Sequence, residues 1–142
     1  MTLRERALRM LARREHSRAE LARKLAAHAE DEDLDALLDD LERENLLSNN
    51  RFADMLLNAR AGRHGSVRLK AELRDKGVPA ELIEAAVSKA RGNDLEAARA
   101  VWRKKFGAPP RDATERARQM RFLAGRGFPA GVVSKVVGGA DD

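Results

Sequence analysis

Apolar positions along this chain recur three and four residues apart, in short bursts separated by polar or glycine-containing breaks. That spacing is the signature of helices with one buried face. Leu3, Ala7, Leu8 and Leu11 predict a first helix over 3–15. Ser17-Arg-Ala-Glu20 reads as a capping box that opens a second helix through Leu21 and Leu25 to about Ala29. The acidic run 30–33 precedes Leu34, Leu37, Leu38 and Leu41, and its carboxylates suit the positive end of a third helix. A second group opens near Asn50 with Phe52, Ala53, Leu56 and Leu57, and ends in Gly62 and Gly65. Ser66 is expected to cap the next helix, whose apolar face is Val67, Leu69 and Leu73; Leu82, Ile83, Ala86 and Val87 mark another. In the third group Asn93-Asp-Leu-Glu96 has capping-box form, followed by Ala97, Ala98, Val101, Trp102 and Phe106. Gly107-Ala-Pro-Pro-Arg111 is a break, Asp112-Ala-Thr-Glu115 caps a helix through Met120 and Leu123, and Val132, Val133, Val136 and Val137 form the last stripe. Residues 138–142 are expected to fray. No β-branched run of period two competes, so the fold class is all-α.

One string occurs twice. Leu73-Arg-Asp-Lys-Gly77-Val-Pro79-Ala and Leu123-Ala-Gly-Arg-Gly127-Phe-Pro129-Ala place Leu, a base, Gly, Pro and Ala in register. A helix through the Leu is stopped by a glycine able to take the left-handed conformation at its C-terminus. The following residue is pushed out of the α region by the proline behind it, and that proline's fixed φ suits the first turn of a new helix. The string is thus a helix–turn–helix corner, and its tandem copy implies repeated helical units. The first helices align too, pairing Ala7/Leu11 with Ala53/Leu57 and Ala98/Trp102. Three three-helix repeats result, over 1–48, 49–92 and 93–142. The first repeat's corner, from Leu25 to Glu32, has neither Gly nor Pro.

Charge sharpens the picture. Residues 1–28 carry eight bases against three acids, residues 30–45 one against nine, 51–76 seven against three, and 99–126 nine against two. Of the 28 basic residues most are arginine, whose planar fork suits phosphates and carboxylates. A polyanionic or acidic partner follows. In the second repeat the candidate contacts are Arg60, Arg63, Lys70, Arg74 and Lys76. In the third they are Arg103, Lys104, Lys105, Arg118, Arg121 and Arg126, where too few acids are present to pair them. The aromatics, Trp102 included, are expected in the core, which disfavours base stacking.

Catalytic chemistry finds no footing. There is no Cys and no Tyr, and His16, His28 and His64 fall near helix ends or turns. Ser17, next to His16, reads as an N-cap rather than a nucleophile, and no phosphate loop or metal-ligand spacing occurs. The expectation is a binding protein with no catalytic residue, cofactor, metal or small-molecule substrate. No long apolar run or apolar signal core is present, so a soluble cytoplasmic protein is expected.

Several strings together resemble a known family. Arg51-Phe52-Ala53, Arg60, Gly65 and Glu72-Leu73-Arg-Asp-Lys76-Gly77-Val78 resemble the central signature of the bacterial regulatory proteins of the RecX family. Ala7-Leu8-Arg-Met-Leu11-Ala-Arg-Arg14, with Ser17, Glu20-Leu21 and Leu25, is similar to that family's N-terminal segment, and Arg126-Gly127-Phe128 to its C-terminal element. The resemblance spans essentially the whole chain. It implies three tandem three-helix repeats in an elongated, curved array, and a partner: the RecA recombinase filament. It implies binding along the filament groove that restrains ATP hydrolysis, strand exchange and filament growth, with contact to DNA, and so a role in recombination, DNA repair and the SOS response. It carries over no catalytic residues. Where the family usually has acids before the Phe-Ala pair, this chain has Ser48-Asn49-Asn50-Arg51, with Asn expected to cap the helix. The rival reading is a stand-alone helix-turn-helix DNA-binding regulator, which needs polar base-reading side chains after a corner. The helices there begin Ala80-Glu-Leu and Ala130-Gly-Val, poor readers of bases. A structural scaffold is the third reading.

Overall fold

The computed structural model describes residues 1–138. Among them nine α-helices and no strands occur: α1 (Leu3–Arg13), α2 (Arg18–Ala29), α3 (Leu34–Arg43), α4 (Asn49–Arg60), α5 (Ser66–Asp75), α6 (Ala80–Arg91), α7 (Asp94–Lys105), α8 (Ala113–Gly125) and α9 (Ala130–Gly138). They form three three-helix repeats in tandem. The fraying expected over 138–142 falls, beyond Gly138, outside the described residues.

The repeated corners take the form their residues dictate. Gly77 and Gly127 have φ of 70° and 88°, the left-handed region that a side chain resists. At the first corner Val78 N–H donates to Leu73 O (3.1 Å) and Gly77 N–H to Arg74 O (3.0 Å). The second corner repeats both bonds, from Phe128 to Leu123 (3.3 Å) and from Gly127 to Ala124 (2.9 Å). This paired closure satisfies the last carbonyls of each helix. The prolines sit one position earlier than expected: Pro79 and Pro129 accept from Ile83 and Val133, so they precede the first helical residue. In the first repeat Glu30 takes φ 47° at the corresponding turn, a left-handed residue without glycine.

Several expected caps are replaced. Thr2 and Glu5 form a complete capping box on α1 that the apolar pattern does not announce. Ser17 caps α2 by accepting from Glu20 N–H (3.0 Å). The Glu20 carboxylate does not close a box; it turns to Arg14 instead. Ser48, not an asparagine, accepts from Arg51 N–H (3.1 Å) to cap α4, while Asn49 Oδ1 accepts from Arg18 N–H (2.8 Å) at the start of α2. Asn93 makes no side-chain cap. Ser66 does not cap α5 either: Asp94 reaches it from α7, accepting from Ser66 N–H (3.0 Å) and Ser66 Oγ (2.5 Å).

The chain divides into two compact units, Met1–Met55 with Leu73–Ile83, and Leu56–Glu72 with Glu84 onward, so the middle repeat's helices are shared between them. In the first unit Leu3, Ala7, Leu21, Leu25, Leu38 and Leu41 pack as one core with Leu47. Each leucine withdrawn from water contributes about 1.5–3 kcal/mol. The first corner packs on the start of α2 in this unit. Ser17 Oγ donates to Lys76 O (2.5 Å), Arg23 to Asp75 O (2.9 Å), and a Cβ on Gly77 would lie 2.6 Å from that of Ala19.

The second unit repeats the arrangement. Gly65 N–H donates to Arg126 O and Val67 N–H to Gly127 O, both 2.9 Å, so the second corner packs on the start of α5. Ala98, Leu123, Phe128, Val133, Val136 and Val137 form its core. One expected core contribution fails: Val67 is 54% exposed. Trp102 and Phe122 are half-buried and pack against this core from its edge, and Phe106 is half-buried. Trp102 Nε1 donates to Gln119 Oε1 (2.9 Å), and the buried Gln119 amide donates to Ala108 O (3.2 Å), fixing the break before α8. No helix among the described residues is long and apolar enough to cross a membrane.

Candidate functional site

The basic residues singled out by charge clustering separate into three kinds. Arg60 and Lys76 are committed to the fold. Arg60 grips Glu72 through a two-pronged fork at 2.8 and 2.7 Å, and Arg68 reaches the same carboxylate at 3.1 Å. Lys76 lies 3.5 Å from Glu20, which is 4% exposed. Arg14 forks onto Glu20 at 3.1 and 2.6 Å, with Lys24 at 3.7 Å. Burial pushes the Glu20 carboxyl up, but the Arg14 fork and the surrounding charge outweigh it and hold it down at about 2. His16, buried beside it, contacts Arg14 O (3.1 Å) through Nδ1 and Lys24 Nζ (3.0 Å) through Nε2. That pattern fits a neutral ring with its proton on Nδ1, and burial also pushes its pKa down.

The second kind converges in the second unit. Arg63, Lys104, Lys105 and Arg126 line a cleft with Gly62, Ala100, Val101 and Phe122. A neighbouring hollow is lined by His64, Arg68, Arg121, Phe122, Gly125 and Arg126. Phe122 is the hinge of the arrangement. Lys105 Nζ lies 5.3 Å and the Arg126 guanidinium carbon 5.1 Å from its ring centre. Phe106 meets the ring edge-on at 5.5 Å. Each cation–ring contact is worth ~0.5–1 kcal/mol at an exposed site, enough to bias two long side chains toward one place. Arg126 also reaches Arg63 O at 3.4 Å. Neither lining includes a carboxylate.

His64 adjoins these bases. Its Nδ1 is buried without a hydrogen-bond partner among the described residues. Burial pushes its pKa down, and Arg68, Arg126, Arg60 and Arg63 push the same way. The ring is therefore neutral near pH 7 and adds no charge to the surface.

Arg74, Arg103 and Arg118 are exposed and Lys70 is half-buried; none lines either hollow. Among the described residues none of the four has a carboxylate within 4.0 Å. Charge clustering misses Phe122 because an aromatic in a helical stripe reads as core. The four-residue spacing from Phe122 to Arg126 carries that half of the signal; Lys105 comes from another helix and leaves no local trace. Arg51, foremost in the central signature, proves structural: it donates to Glu15 (2.7 Å), Asn45 Oδ1 (2.8 Å) and Asn45 O (2.9 Å).

Comparison with known proteins places the chain. Models of the first, second and third three-helix domains of RecX match residues 4–41, 48–87 and 93–137. The regulatory protein RecX of Ralstonia pickettii strain 12J is 48% identical over 143 residues, covering 100% of this chain and 90% of the relative. That of Leptothrix cholodnii is 49% identical over 142 residues, covering 99% and 90%. The crystal structure of RecX from Lactobacillus salivarius superposes with a TM-score of 0.77 at 16% identity, covering 98% of this chain and 94% of that one. A second RecX crystal structure gives 0.75, again at 16%, over 97% and 72%. At that identity the structures speak to the fold alone, while the sequence relatives reach end to end, and on their strength the chain belongs to the RecX family of regulatory proteins.

Proposed function

We propose that this protein is a cytoplasmic negative modulator of the RecA recombinase, binding in the groove of the RecA–DNA filament. There it inhibits ATP hydrolysis, strand exchange and filament growth, and so regulates recombination and DNA repair. No catalytic residue, cofactor or small-molecule substrate takes part. The observation that carries the reading is the cleft around Phe122, where Arg63, Lys104, Lys105 and Arg126 converge with no carboxylate in the lining. Such a cluster meets acidic protein surface or DNA phosphates, and it costs self-repulsion unless a partner neutralises it. Arg121 extends it, and exposed Arg103, Arg118 and Arg74 with half-buried Lys70 supply further contacts. Arg60 and Lys76 take the smaller share, because Glu72 and Glu20 already hold them.

That division changes which variant is informative. Reversing Lys76 would set a second carboxylate against buried Glu20 and damage the fold, so Lys104→Glu with Lys105→Glu is the sound probe. The test is RecA-dependent, single-stranded-DNA-stimulated ATP hydrolysis with this protein titrated in at fixed salt. Substoichiometric inhibition is expected. Inhibition only at amounts that coat the DNA would reduce the activity to competition for phosphates. No inhibition, together with a footprint on one operator sequence, would establish the stand-alone DNA-binding regulator instead.

A further inference from the structure

The two hollows of the second unit share one wall, made of Phe122 and Arg126. On one side stand Arg63, Lys104 and Lys105, on the other Arg121, with Arg68 beside it but held by Glu72. Cations thus rim two adjacent compartments with a partly recessed arginine between them. We infer that these hollows form a track for consecutive phosphates of a single nucleic-acid strand, with Arg126 between two neighbouring phosphate positions. The inference deepens the reading that basic faces of this protein meet DNA phosphates, and rests on it.

Three features favour a flexible single strand. Cations line two adjoining compartments rather than one, as successive phosphates of one strand require. Part of the cleft lining is apolar, formed by Ala100, Val101 and the Phe122 ring. Sugar edges can rest there while the phosphates face the rim. Arg126 is half-buried rather than projecting, so a strand able to bend inward reaches it and a rigid duplex does not.

Phe122 is not a stacking platform in this arrangement. Lys105, Arg126 and the Phe106 ring already surround it at 5.1–5.5 Å. It is a positioning residue that holds two cations over the track and so lowers the ordering cost of binding. Binding is accordingly independent of sequence and steeply dependent on salt.

The test is fluorescence anisotropy of a labelled oligothymidine with the full chain, without RecA, across a salt series. Lys105→Gln with Arg126→Gln should weaken binding by about tenfold or more. It should also flatten the slope of log affinity against log salt by about 1.4, roughly 0.7 for each of two lost phosphate contacts. Phe122→Leu keeps every charge, so it should weaken binding with the salt slope unchanged, while far-ultraviolet dichroism stays that of the native chain. Arg9→Gln with Arg13→Gln removes the same charge from exposed positions on α1 and should change affinity by less than about twofold. Equal losses in the two double variants would overturn the track in favour of diffuse attraction. Duplex binding as tight as single-strand binding would also overturn it, as would polyglutamate competing as well per charge as unlabelled oligothymidine. Because RecA is absent, failure here leaves the ATPase test standing, and a null ATPase result leaves this one standing.

Discussion

Glu20 shows how much a single side chain can carry. It is buried, yet Arg14 forks onto it and Lys76 and Lys24 lie within 4.0 Å, so the carboxylate is held at about 2 against an ordinary 4.5. A carboxyl depressed in the folded state stabilises the fold at pH above its unfolded value and loses that contribution on acidification. His16 acts in the same direction, since its folded pKa is also depressed and its stabilisation requires the neutral ring. Urea midpoints should therefore fall as pH drops below about 6.5, and fall further between 4.5 and 2. Glu20→Gln should shrink the lower limb to the part that Glu72, held down by the Arg60 fork, still carries; an unchanged acid profile in that variant would remove Glu20 from the account. The glycines give a second test with opposite signs. Gly127, at φ 88°, would place a Cβ against the Arg68 backbone, so Gly127→Ala should cost about 2–4 kcal/mol. Gly131 lies in the first turn of α9 with open space where a Cβ would go, so Gly131→Ala should stabilise by ~0.5 kcal/mol. Denaturation followed by Trp102 fluorescence checks both, and equal effects would contradict the geometry assigned to the second corner.

Helices and corners were legible where their causes are local. The Leu-x-x-x-Gly-x-Pro string predicts a paired carbonyl closure, and both copies make it. The aligned first helices also keep their register: Ala7, Ala53 and Ala98 are buried, while Leu11, Leu57 and Trp102 are half-buried. Caps that depend on distant chain were not legible. Ser66 has the right residue type in the right place, but its partner Asp94 lies 28 residues on, and no spacing rule connects them. The acidic residue that looks like part of an α7 box is thus the cap of α5. Asp94→Ala should cost about 2–3 kcal/mol, because a buried hydroxyl and a backbone N–H both lose their acceptor. Ser66→Ala should cost about 1 kcal/mol, and the double variant should match Asp94→Ala more nearly than the sum. Additive losses in a double-mutant cycle would mean that the two side chains act separately. The candidate surface divides in the same way. Basic clustering located Arg63, Lys104, Lys105 and Arg126, but only the fold distinguishes them from Arg60, which Glu72 holds. The second role of Phe122 is not legible, because a helical stripe does not reveal which of its members packs at the edge of the core.

At the scale of the whole molecule, charge is unevenly distributed along the chain, with one base against nine acids over 30–45 and nine against two over 99–126. Much of the acidic segment is answered within the fold: Arg18 bonds Asp39 (2.6 Å) and Glu42, and Arg4 forks onto Glu44 at 3.0 and 2.6 Å. The basic segment has no such internal complement among its lining residues, and this asymmetry is what points outward to an acidic or polyanionic partner. Family membership spans the three repeats. The proposed work, restraint of RecA, then falls to the cations around Phe122 rather than to the signature residues Arg51 and Arg60, which hold the helices together. Arg51→Ala or Arg60→Ala should accordingly lower thermal stability before it changes inhibition of the folded protein. The most direct measurement of the central claim is a RecA ATPase titration run on three proteins side by side: wild type, Lys104→Glu with Lys105→Glu, and Arg9→Glu with Arg13→Glu. The account predicts substoichiometric inhibition by the wild type and the α1 variant, and a half-inhibitory concentration raised by about tenfold or more for the cleft variant. Wild-type protein that leaves ATP hydrolysis untouched, or a cleft variant that inhibits as well as wild type, would contradict it.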